Sequence, residues 1–140
     1  MIEVMVVVAI VAILASVALP SYSDYVRRSA LPEAFTYLSD YRIKMEQYYQ
    51  DNRNYGTTNC ADGGAAPAWN TFAPTGTQHF TFGCARTAAG QGYTLTATGV
   101  TGKASDGHVY TINADNAKAT TRFKSGVVTK SCWLVKGGEC

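Results

Sequence analysis

Hydrophobic positions fall into two regimes along the chain. From Val4 to Leu19 every residue except Ser16 is apolar, and no face is reserved for water. Beyond Pro20 the apolar positions are Leu31, Ala34, Phe35, Leu38, Tyr41, Met45, Tyr48 and Tyr49. Steps of three and four mark one stripe of an amphipathic helix. Glu33, Asp40, Lys44 and Glu46 occupy the other face, with Asp51 further on, and all four of these carboxylates read as solvent-facing. Asp40 precedes Lys44 by four, the better order for a helical ion pair. The pattern predicts one helix that changes role, apolar all round through Leu19 and one-sided to about Gln50. Fifty helical residues would span ~75 Å. That is too long for a globule of 140 residues, so half of the helix must project. Pro20 and Pro32 interrupt the pattern. Each removes a backbone donor and crowds the preceding turn, which predicts bends.

After Asn54 the period changes. Thr57 to Gly76 is dense in turn formers and reads as a long loop. Phe80-Thr81-Phe82, Tyr93 to Thr98 and Val109 to Ile112 alternate in the manner of half-buried strands. Asp115-Asn116 supplies a turn before a strand at Ala119 to Phe123, and Cys132-Trp133-Leu134-Val135 reads as the last strand. Short strands with short connections predict an antiparallel sheet, one face of which covers the helix stripe. The predicted class is α+β, a long N-terminal helix with its C-terminal half packed on a small antiparallel sheet. The expected division is a hydrophobic helix over 1–29 and a globular head over 30–140. Within the head we expect the amphipathic helix at 30–51, a loop at 52–78, and the sheet with a C-terminal disulfide loop at 79–140.

Cysteine usage adds a compartment to this picture. Cys60, Cys84, Cys132 and Cys140 include no C-x-x-C pair and have no close histidine, which argues against zinc. An even count behind an export-like segment favours two disulfides and an oxidising environment. Three pairings are open, of which the sequence-local one, Cys60–Cys84 with Cys132–Cys140, is the expectation. The formal net charge of +2 excludes nothing.

The apolar run is about as short as a bilayer span can be, since the hydrocarbon core takes roughly 20 residues. A secretory signal peptide would begin with basic residues, and none precedes Arg27. Glu3 at the head of the run demands explanation, because a carboxylate in hydrocarbon is costly. It either sits at headgroup level, favoured by the helix dipole, or pairs with a positive group on a neighbouring subunit. Charge alone would put Arg27 and Arg28 on the cytoplasmic side. The cysteines argue that the head lies outside, and they carry more weight.

Residues Ile2 to Ala15, then Ala18-Leu19-Pro20-Ser21-Tyr22, Tyr25-Val26 and Arg28-Ser29, resemble the start of type IV pilins. Glu46-Gln47-Tyr48-Tyr49, Asn52-Arg53-Asn54-Tyr55, Tyr93 to Gly99 and Cys132-Trp133 resemble the PilE-like group of that family. In it a basic leader is removed and the new N-terminus is methylated. Met1 then matches the third mature residue, so the leader and first two mature residues are expected to be absent here. The resemblance implies a filament subunit held in the inner membrane before assembly. It then polymerises with identical or related pilins, through dedicated assembly machinery, into an extracellular pilus. Adhesion, twitching motility and DNA uptake are the roles it implies. Glu3 and Pro20 become candidate assembly residues, Glu3 by meeting a neighbour's terminal amine. Cys132 and Cys140 match the family's C-terminal disulfide loop. A type II secretion pseudopilin shares the N-terminal segment and is the alternative, beside a DNA-receptor pilin of natural transformation.

Other chemistry is sparse. No nucleophile elbow, phosphate loop or H-E-x-x-H motif is present, so neither an enzyme nor a cofactor is expected. His79 and His108 read as surface residues. Seven of the nine tyrosines lie between Tyr22 and Tyr55, which suits packing better than charge transport. Arg122, Lys124, Lys130 and Lys136 gather near the C-terminus. They read as a solvated edge, or as possible DNA contacts whose affinity would fall steeply with salt.

Overall fold

The computed structural model describes residues 1–87 and 89–140. It opens with one helix, α1 (Ile2–Asn52), followed by a 3-10 turn at Ala68–Thr71. Five strands come next: β1 (Phe80–Arg86), β2 (Tyr93–Gly99), β3 (Val109–Asn113), β4 (Lys118–Phe123) and β5 (Gly126–Lys130). α1 runs unbroken through Pro20 and Pro32, so neither proline interrupts the assigned helix. Both rings occupy exposed positions. The helix ends at Arg53, whose left-handed backbone lets its N–H reach the Tyr49 carbonyl at 2.8 Å.

The strands form an antiparallel meander in the order β1-β2-β3-β4-β5. Register decides which residues face the helix. Phe80, Tyr93, Leu95, Ala97, Tyr110, Ile112 and Phe123 turn inward and meet Leu31, Ala34, Leu38, Tyr41, Met45 and Tyr48 of α1. Each fully buried Leu, Ile, Met or Phe among them contributes roughly 1.5–3 kcal/mol. On the outer face small residues oppose one another, Thr81 with Thr98 and Gly83 with Thr96. Gly99 has no room for a side chain, because a Cβ there would collide with the Ser105 carbonyl.

Two elements differ from the expectation. Cys132 to Val135 is not a strand. Leu134 is buried by a different device, a segment pinned through side chains, while Val135 stays exposed. Thr120 Oγ1 donates to the Cys132 carbonyl at 2.6 Å and accepts from the Leu134 N–H at 3.0 Å. Tyr110 donates to the Leu134 carbonyl at 2.8 Å, and Trp133 Nε1 to the Thr111 carbonyl at 2.9 Å. The last strand is instead β5, an edge strand on which Val127 is exposed.

Disulfides join Cys60 to Cys84 and Cys132 to Cys140, with Cα separations of 6.1 and 5.9 Å. The first ties the segment after α1 to β1. In that segment the Asp62 carboxylate accepts the N–H groups of Asn59, Thr57 and Thr58. Those bonds hold its pKa well below the usual carboxylate range, against the opposing effect of desolvation.

Candidate assembly surface

The two regimes of the sequence become two environments for one helix. Every residue from Met1 to Ser23 is exposed. An 18-residue stretch of α1 is apolar enough to cross a membrane, and none of it is buried. The first buried residue is Ala30. Glu3 lies on the exposed helix, in its first turn, where a carboxylate complements the positive end of the helix dipole. Pro20 lies at the end of the same exposed stretch. Among the described residues nothing buries either one.

The junction between the halves carries a cluster of charged side chains. Asp24 forms ion pairs with Arg27 at 2.9 Å and Arg28 at 3.7 Å, at helical spacings of three and four. Lys124 arrives from the β4–β5 turn to 3.6 Å from the same carboxylate. Partial desolvation opposes ionisation of Asp24, but Arg27, Lys124 and Arg28 together hold its pKa below the ordinary value. The i, i+3 and i, i+4 spacings were open to inspection in the sequence. The tertiary partner Lys124 left no signal there.

Two of the four carboxylates read as solvent-facing turn out to be engaged. Glu33 accepts the backbone N–H groups of His79 at 3.1 Å and Phe80 at 3.0 Å, which caps the start of β1. Glu46 accepts the hydroxyls of Tyr93 at 3.0 Å and Tyr55 at 3.1 Å. In both cases a polar helix residue meets donors contributed by a distant segment, which helical period cannot reveal. Asp40 does pair with Lys44, at 2.7 Å. The histidines also need correction. His79 is half-buried and His108 is buried between Phe123 and Tyr110. Burial pushes the His108 pKa down, helped by Arg27 and Lys124. Its Nδ1–H donates to the carbonyls of Ser105 and Asp106 at 3.0 and 2.9 Å.

The four C-terminal cations are strung out rather than gathered, three on the β4–β5 hairpin and Lys136 beyond it. Lys124 is in the β4–β5 turn, and Arg122 pairs in register with Val127 beside it. Lys130 faces Thr120, further from the turn, and Lys136 lies in the terminal disulfide loop. Lys124 is already engaged by Asp24. Among the described residues, no group of three or more His, Cys, Asp or Glu could hold a metal ion.

Comparison with known proteins adds to this geometry. A family model described as type IV minor pilin ComP, DNA uptake sequence receptor, matches residues 20–108. That stretch covers Asp24 with Arg27 and Arg28 and the first two of the five strands, and stops short of the four C-terminal cations. The chain is 44% identical over 66 residues to the fimbrial protein EcpC of Eikenella corrodens, covering 47% of this chain and 43% of that protein. It is 39% identical over 67 residues to the type IV major pilin protein PilE1 of Neisseria gonorrhoeae, covering 48% and 41%. The chain thus spans less than half the length of these relatives. The crystal structure of the Neisseria meningitidis non-core minor pilin PilV superposes with a TM-score of 0.54 at 20% identity. It covers 74% of this chain and 95% of that one, and the likeness is one of fold.

Proposed function

The chain belongs to the type IV pilin family, and from that premise we propose that it is a structural subunit of a type IV pilus. The observation that carries this reading is the complete exposure of the apolar half of α1 on an otherwise closed, disulfide-tied head. An apolar helix that its own head leaves bare needs an external apolar phase. A bilayer supplies it before assembly, and the bundled helices of other subunits supply it in the filament. The heads then form the filament surface, outside the cell. Glu3 is the assembly residue. A carboxylate among packed apolar helices is costly unless a cation offsets it, and a neighbour's terminal amine is the natural partner. The test is Glu3→Ala in filament-forming cells. We expect fewer filaments from a head that melts at the unchanged temperature. Normal filament yield would refute the role.

A second reading is favoured by the family match, whose printed description is that of a DNA uptake sequence receptor. On it, Arg122 and Lys130 on the β4–β5 hairpin and Lys136 in the terminal disulfide loop offer exposed or half-exposed cations. Binding to duplex DNA should then weaken steeply with salt, with a log–log slope of about −0.9 per phosphate neutralised. Charge removal at Arg122, Lys130 and Lys136 should flatten that slope by about three. A salt-independent signal, or an unchanged slope, would dismiss the reading.

A further inference from the structure

The collar where α1 leaves its apolar run carries an arrangement of aromatic and basic side chains that the proposed assembly role of Glu3 does not involve. Tyr22 and Tyr25 are 69% and 72% exposed. They follow Leu19 by about 4.5 and 9 Å along the axis, at ~1.5 Å per residue. Arg27, Arg28 and Lys124 then converge on Asp24. Asp24 is the only acid between Glu3 and Glu33, so the cluster keeps a surplus of positive charge. The Arg27 side chain is only 12% exposed and lies over the Phe123 ring, 5.7 Å from its centre. Those of Arg28 and Lys124 are more open, at 39% and 47%.

The position of Lys124 is built rather than incidental. It and Ser125 form the two-residue connection between β4 and β5, with φ of 51° and 65°. Such turns favour Asn or Gly, because other side chains enter this backbone region at a cost. The turn's own chemistry does not ask for a lysine. The Ser125 N–H bonds to the Gly107 carbonyl at 2.9 Å, which fixes the turn against the neighbouring loop and holds Lys124 toward α1.

Apolar helix, then tyrosine, then arginine and lysine is the order of layers met on leaving a bilayer. Hydrocarbon gives way to the interface where aromatic rings settle, and then to the lipid phosphates. We propose that this collar is a docking surface for anionic phospholipid headgroups, which seat the head on the membrane while α1 is inserted. The proposal rests on the reading of the apolar half as a membrane anchor. Arg28 and Lys124 contact phosphate oxygens, Arg27 adds charge from beneath, and Asp24 keeps the three cations together. A membrane fits better than a nucleic acid. Any polyanion reaching Asp24 comes within about 8 Å, at ~1.5 Å per residue, of the bare apolar surface at Leu19, and a membrane is the polyanion with an apolar phase attached.

The test uses the full chain in nanodiscs of equimolar phosphatidylglycerol and phosphatidylcholine. Insertion is checked by co-flotation, and the lipids retained after release are counted by native mass spectrometry. At low salt the chain should retain phosphatidylglycerol about five-fold over phosphatidylcholine, and the preference should vanish in about 0.5 M salt. R28Q/K124Q should reach parity at low salt, whereas K44Q, well along α1 from the collar, should keep the preference. Failure to insert overturns the anchor reading and this one together. Insertion with equal retention of both lipids overturns this one alone. Displacement of the retained phosphatidylglycerol by added duplex DNA would make the collar a nucleic-acid site and overturn the lipid assignment.

Discussion

Leu14 and Leu38 belong to the same helix and share little else. Leu14 is 65% exposed and Leu38 is 0% exposed. The half that holds Leu38 is one-sided, and the five-stranded sheet completes its burial within a single chain. The half that holds Leu14 is apolar in every direction, so no one face of a small head can satisfy it. The difference teaches that periodicity, more than hydrophobicity, decides whether a helix is finished by its own chain. A stripe asks for one partner surface, whereas a cylinder asks for a solvent.

The strongest way to separate the halves is alkali. Tyr41 and Tyr55 are each pushed up to about 12, chiefly by burial, with Asp40 adding to the first and the Glu46 hydrogen bond to the second. Tyr93 and Tyr110 are raised by burial as well. An unfolded chain releases these protons near pH 10. The stabilisation is therefore complete below about pH 10 and is lost as pH rises through about 12. The head should unfold in that window, by tyrosinate absorbance and circular dichroism in detergent. The apolar run through Leu19, with no titratable side chain but Glu3, should keep its helicity. Helicity lost evenly along α1 would break the comparison.

Truncating the two leucines asks the same question locally. Leu38→Ala opens a cavity in a closed core and should cost about 2–5 kcal/mol. Leu14→Ala should leave thermal unfolding of the head unchanged. Equal effects would mean that the halves are one cooperative unit.

The disulfides come next in size. Replacing both Cys60 and Cys84 with alanine should cost roughly 3 kcal/mol, because a bond spanning 24 residues restrains the unfolded chain. The same change at Cys132 and Cys140, spanning 8, should cost less. Urea unfolding of the two variants measures the order, and a reversed order would mean that the terminal loop anchors the sheet.

Legibility follows the same divide. The bare cylinder and the stripe could be read directly, because both are local periodicities. So could the first four strands, where alternation is clear. β5 escaped because Val127 is exposed at a sheet edge, so its hydrophobicity signals nothing about burial. Cys132 to Val135 misled for the opposite reason. Leu134 is fully buried, but by hydrogen bonds to Thr120 and Tyr110 across the chain rather than by a ladder. Glu33, Glu46 and His108 are polar residues whose partners are contributed by folding. At the collar, the spacing of Asp24, Arg27 and Arg28 is a local helical signal that the reading of the sequence passed over, while Lys124 reaches them only through the sheet's register.

The central claim is that the head is complete without the apolar half, and removing residues 1–29 tests it most directly. The remaining 30–140 chain, purified from an oxidising compartment, should be soluble and monomeric, with a single cooperative thermal transition. The deleted residues supply no member of the buried core, which begins at Ala30, and what is lost with them at the surface is the Lys124–Asp24 pair and the Arg27 guanidinium over the Phe123 ring. An insoluble product, or a gradual unfolding with no transition, would contradict the account and make the apolar half part of the folded core.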